Sequence, residues 1–162
     1  MPHIARAYSH DTTDGIKSAL AAAVREIFAV MLKERIELVP PASIHDAPRI
    51  SSIIGFGGKI SGVICLHFSK PSACSVAAGL LGVPVDAIDE TVRDAVGELN
   101  NMIAGGLKKK LCAAEDLFRI SLPSVIEGSE YSMHVPAGSR QVWLGVAAGA
   151  CRFKIHLVME QR

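Results

Sequence analysis

Residues 86–114 read DAIDETVRDAVGELNNMIAGGLKKKLCAA, and this stretch decides the fold. It contains no proline and is long enough for many helical turns at about 3.6 residues each. Val92, Val96, Leu99, Ile103 and Leu107 recur at the spacing of one buried helical face. Asp94, Glu98, Asn101, Gly105 and Lys108 fall on the opposite side, counting about 100° per residue. Asp86 is the expected N-cap. Asp89 and Glu90 suit the positive end of the helix, and Lys108, Lys109 and Lys110 the negative end. The outward stripe is unusual for a solvent face because Gly97 and Gly105 flank its acid and its amide. Glycine inside a helix costs about 0.5–1 kcal/mol relative to alanine. Two of them beside Glu98 and Asn101 imply that another body lies close against the stripe.

Outward from this helix, the chain reads as one α+β domain: a largely antiparallel β-sheet packed against α-helices, with one long central helix. Residues 1–13 are expected to be a poorly ordered lead-in, and residues 14–162 the domain itself. Thr13 or Asp14 caps a first helix whose apolar face runs through Ile16, Leu20, Val24, Ile27 and Met31 to Ile36, with Pro40 and Pro41 ending it. A hairpin follows: residues 50–56 as one strand, Gly57 and Gly58 as the turn, residues 60–68 as a second strand buried on both faces beneath helices. Ser69 caps a short helix with Pro71 in its first turn, and Gly82 closes it. The last third is strand-like at residues 118–122, 125–126, 131–135, 141–147 and 152–159.

The 162 residues, nearly half of them apolar, suit a single domain with a substantial core. Seventeen basic residues balance sixteen acidic ones to a net charge of +1, which points away from nucleic acid and from a charged membrane surface. No apolar run is long enough to span a membrane, no signal-peptide core opens the chain, and a cytoplasmic location is expected. Cys65, Cys74, Cys112 and Cys151 are scattered among apolar neighbours, the pattern of buried reduced thiols. The six histidines show no metal-ligand spacing, so no metal site is assigned. Glycines 55, 57 and 58 with Lys59 resemble a phosphate loop, but Ile53 and Ile60 stand where a Walker A sequence needs glycine and a hydroxyl residue. On spacing alone, Glu98 and Asn101 read as an ordinary wet helix face.

A resemblance changes that reading. Residues 96–105, VGELNNMIAG, are similar to the signature helix of the CheX/CheC chemotaxis phosphatases, which carries Glu-x-x-Asn. Residues 58–62, GKISG, resemble the family hairpin, and residues 121–128, SLPSVIEG, the segment after the long helix. One Glu-x-x-Asn rather than two places the chain nearer the CheX branch. The resemblance implies dephosphorylation of an aspartyl phosphate on a CheY-like response-regulator receiver domain. Glu98 would pair with a lysine of the receiver and Asn101 would hold the attacking water in line. Asp94, Gly97, Gly105 and Lys108 are the expected partner contacts, with Gly97, Ala104 and Gly105 letting the receiver's loops come close. The chain would need no cofactor of its own, since Mg2+ comes with the receiver. Asn100 replaces the small residue usual before Asn101, and its bulk is expected to affect how closely a partner approaches. The family also implies a homodimer joined through sheet edges. Two other readings remain open: a non-catalytic module that binds a receiver or a chemotaxis or flagellar partner, and a dimeric structural domain with an incidental Glu-x-x-Asn.

Overall fold

The computed structural model describes residues 12–58, 60–112 and 118–160. Residues 1–11 of the expected lead-in lie outside the described residues, as do Lys59 and the last two residues of the stretch 86–114. Helix α1 spans Thr13–Ile27 and runs directly into a π-helical turn, Phe28–Leu32. Strand β1 (Glu37–Val39) follows, then the hairpin strands β2 (Ile50–Gly58) and β3 (Gly62–Phe68). Next come α2 (Lys70–Leu81) and α3 (Glu90–Leu111), and then β4 (Phe118–Ile120), β5 (Ser124–Glu127), β6 (Arg140–Ala148) and β7 (Cys151–Met159). The sheet runs β1-β6-β7-β3-β2-β4, and β5 also pairs with β2. Among the described residues every pairing is antiparallel. This is the expected α+β class.

The period of two along each strand sorts the core onto one face of the sheet. Ile54 and Phe56 of β2, Ile64, Leu66 and Phe68 of β3, and Phe153, Ile155, Leu157 and Met159 of β7 are all buried together with the helices' apolar faces. Phe153 lies between Phe28 and Phe68, with ring centroids 5.7 and 4.6 Å away. Such stacked pairs contribute about 0.5–1.5 kcal/mol beyond their area.

Several sequence expectations are corrected. The first cap is Thr12, whose hydroxyl accepts from the Gly15 amide at 3.0 Å. Met31 is 48% exposed, because the π-turn shifts the inward positions to Phe28 and Leu32. The helix ends well before Pro40, at Lys33, which takes a left-handed φ of 55°. Asp89, not Asp86, caps α3, its carboxylate accepting from the Val92 amide at 3.1 Å. Gly57 and Gly58 belong to β2 rather than to a turn, because β4 pairs along them through Arg119 and Phe118. The short edge strand β1 was not anticipated.

Residues 131–135 form no strand. Tyr131 and Met133 instead lie against the sheet face that the helices leave bare, Tyr131 on Ser51 and His67, Met133 on Cys65. Among the described residues, helices therefore cover one face only, not both. Among the described residues no helix is long and apolar enough to cross a membrane.

Candidate functional site

Helix α3 places the Glu-x-x-Asn pair. Val92, Val96, Leu99, Ile103 and Leu107 are completely buried, as their spacing predicts. Glu98 and Asn101 are both exposed, and Asp94 and Lys108 share their solvent side. Glu98 and Asn101, three residues apart, are neighbours one turn from each other on the helix surface. An acidic end at Asp94 and Glu98 and a basic end at Lys108 frame the amide, so the stripe has a polarity that can fix the register of a partner.

Asn100 is completely buried and faces the sheet, so its bulk does not stand between the stripe and a partner. Its Nδ2 donates to the Ser52 carbonyl at 3.1 Å, the Ser52 hydroxyl at 3.2 Å and the Ile64 carbonyl at 3.1 Å. Two N–H groups thus serve three acceptors on β2 and β3. Asn100 Oδ1 is buried without a hydrogen-bond partner in the structure. The bonds fix the rotation of α3 about its axis, and the next residue, Asn101, must then point outward.

The expected partner contacts separate. Gly105 has open space: nothing lies within 4 Å of where a Cβ would stand. Gly97 is different. A Cβ there would lie 3.3 Å from Pro123 Cγ and 3.8 Å from Val125 Cγ2, so the chain's own β4–β5 segment fills the shoulder expected to be bare. Ala104 is likewise buried, at 1% exposure, and offers no surface for a partner. Gly106, not singled out in the sequence, has its Cβ position 3.2 Å from Ala23 Cβ, and lets α1 pack closely on α3.

The segment that covers Gly97 is itself anchored. The Ser121 amide donates to the Gly55 carbonyl at 2.8 Å, and the Gly55 amide returns a bond to the Ser121 hydroxyl at 2.9 Å. Arg93 Nε donates to Glu127, and its Nη1 pairs with Glu90 at 3.3 Å, tying α3 to β5. A shallow cleft results beside Glu98, lined by Arg93, Asp94, Gly97, Pro123 and Val125. Leu122, next to Pro123, is 88% exposed. It was missed as a candidate. The available signal was a large apolar residue between Ser121 and Pro123, in a turn-like setting rather than a strand.

Cys65, Cys74 and Cys151 do not offer a competing nucleophile. Burial pushes the Cys65 thiol up to about 11 and the Cys151 thiol up to about 12. The Cys74 thiol is raised as well, chiefly by burial.

A family model described as chemotaxis phosphatase CheX matches residues 50–147, which include β2, β3 and the whole of α3. The CheY-P phosphatase CheX of Thermotoga maritima is 34% identical over 80 residues, or 49% of this chain and 52% of that protein. The match thus spans about half the length of this curated relative. The chemotaxis protein CheX from Vibrio vulnificus has the same fold, with a TM-score of 0.76 at 20% identity over 90% of this chain and 96% of that one. The CheX–CheY–BeF3–Mg2+ complex from Borrelia burgdorferi also contains the fold, with a TM-score of 0.73 at 22% identity over 89% of this chain and 97% of the matched one.

Proposed function

The chain belongs to the CheX family of chemotaxis phosphatases, and from that premise we propose that it hydrolyses the aspartyl phosphate of a CheY-like receiver domain. The observation that carries the reading is the alternation within one turn of α3. Leu99 and Asn100 are sealed into the core, while Glu98 and Asn101 on either side of them reach solvent together.

Phosphoryl transfer through a loose transition state asks a catalyst mainly for positioning and charge stabilisation. An amide supplies both. Its oxygen accepts from a water while its nitrogen donates to a phosphoryl oxygen. Asn101 is the residue that would enter the receiver's site and orient that water. Glu98, one turn before it, would pair with a cation of the receiver and set the register. Asp94, Gly105 and Lys108 extend the same contact, and the exposed Leu122, next in sequence to Pro123, adds an apolar contact. The divalent metal of this chemistry is expected to come with the receiver. The burial of Asn100 removes the steric ground for a module that binds without turnover.

The test is the decay of phosphorylated receivers from the same cell. Asn101→Ala should lower the rate at saturating receiver by about 10²-fold, or about 2.7 kcal/mol. Glu98→Ala should mainly raise the receiver concentration required. Decay that is unchanged from wild type in both variants would overturn the proposal. Binding without accelerated decay in the wild type would identify a receiver-binding module instead.

A homodimer joined through sheet edges remains part of the proposal. Among the described residues the sheet ends at β1 on one side and at β4 and β5 on the other, and these are the edges a second copy could extend. An uncovered edge of this kind invites pairing with a second strand.

A further inference from the structure

The sheet face turned away from α3 carries a second, separate constellation. Side-chain alternation puts Ser52 toward the helix and Ser51 toward this face. Here a cavity of about 300 Å3 opens between the strands and the segment that carries Tyr131. That volume lies at the lower end of small-ligand sites. Its walls include the rings of His67, Tyr131, Trp143 and His156, and Arg152 and Lys154 line it as well.

The aromatic wall is pre-organised. Trp143 stacks on His156 with centroids 3.8 Å apart and planes 10° from parallel. His67 also lies against Trp143, with centroids 6.0 Å apart and planes 25° from parallel. His156 Nε2 donates to Gln141 Oε1 at 2.8 Å, which orients its ring. The Tyr131 hydroxyl and the Ser51 hydroxyl both lie within hydrogen-bond distance of His67 Nδ1, at 2.7 and 2.8 Å, and they bond each other. The two hydroxyl protons fill two edges of this triangle, and a proton on Nδ1 would fill the third.

Burial holds both imidazoles below their ordinary range, His67 down to about 4 with help from His156 and Lys154. The rings are therefore neutral planar surfaces near neutral pH. The cavity's cations are Arg152 and Lys154, set against a single acid, Asp46. A half-exposed indole beside two imidazoles, with two cations nearby, matches a ring that carries negative charge.

We propose that this cavity binds a small aromatic anion, its ring against Trp143 and the imidazoles and its carboxylate or phosphate on Arg152 and Lys154. The site is independent of the Glu98 and Asn101 surface and does not rest on the phosphatase reading.

Trp143 is the only tryptophan in the chain, so intrinsic fluorescence reports on this cavity alone. The probes are adenosine monophosphate and benzoate, with adenosine and benzamide as uncharged counterparts. Wild-type protein should show saturable quenching by one of the anions, at least about tenfold tighter than by its uncharged counterpart. Whichever anion saturates distinguishes phosphate from carboxylate. The double variant Arg152→Gln/Lys154→Gln should weaken that anion by about tenfold or more while leaving receiver dephosphorylation unchanged. Asp46→Asn, which removes the opposing acid, should tighten it and provides a check should the double variant misfold. Quenching that is linear for all four probes, or identical in wild type and variants, overturns the proposal. So does a Trp143 signal that follows protein concentration in step with dimer formation by sedimentation, because a second copy would then occupy the face.

Discussion

The inward side of α3 carries Val96, Leu99, Asn100 and Ile103, all completely buried, while the outward side carries Asp94, Glu98, Asn101 and Lys108 in solvent. Asn100 and Asn101 make the difference concrete. The two side chains are chemically identical and adjacent, yet one spends its amide on β2 and β3 while the other leaves its amide free for a partner's chemistry. The inward side is governed by volume and hydrogen-bond satisfaction, and changes there are felt as stability. The outward side contributes little to folding, so it can carry residues chosen for what they touch outside the molecule.

The largest expected effect comes from making one change on both sides. Asn100→Asp keeps the size but replaces the donor with a carboxylate facing carbonyl oxygens. It should destabilise the fold by about 3–5 kcal/mol, read from urea denaturation midpoints. Asn101→Asp should move the midpoint by no more than about 0.5 kcal/mol while strongly reducing receiver dephosphorylation. Equal stability losses in the two variants would erase the division between the sides.

A smaller effect separates α3 from the bare sheet face. His67 has a folded-state pKa near 4 against about 6.5 when unfolded, so between these values the unfolded chain binds more protons. Its contribution is complete above about pH 6.5 and is lost as the pH falls toward 4. The loss should be on the order of 1–2 kcal/mol after allowance for solvent at the cavity mouth. Denaturation midpoints between pH 7 and 4.5 measure it, and His67→Gln should flatten the slope. An unchanged slope would mean that the imidazole is not held neutral by its surroundings.

The smallest effect concerns the glycines. Gly105→Ala meets open space and should stabilise α3 by about 0.5–1 kcal/mol. If a receiver uses that space, the same variant should raise the receiver concentration needed for half-maximal rate. Stabilisation without any change in receiver dependence would remove Gly105 from the contact.

Much of α3 was legible because its signals are local. Five apolar residues at helical spacing, a lysine-rich last turn and an acidic first turn require no knowledge of what packs against them, and the outward stripe follows from the same arithmetic. The cap was misassigned by one turn because Asp86 and Asp89 are equally good capping side chains. Val85 and Ile88 both pack against the core, and the helix starts only beyond them.

By itself, then, the sequence determined the α+β class, the long helix and the outward placement of Glu98 and Asn101, all of which rest on the periodicity of neighbouring residues. Tertiary structure alone decided that Asn100 turns inward to Ser52, 48 positions away, and that Pro123 fills the shoulder of Gly97. It also laid Tyr131 on His67, 64 positions away, instead of into a strand, and so formed a cavity on the bare face of the sheet. These outcomes depend on which distant surfaces meet, and an apolar or amide side chain carries no local mark of the partner it will find.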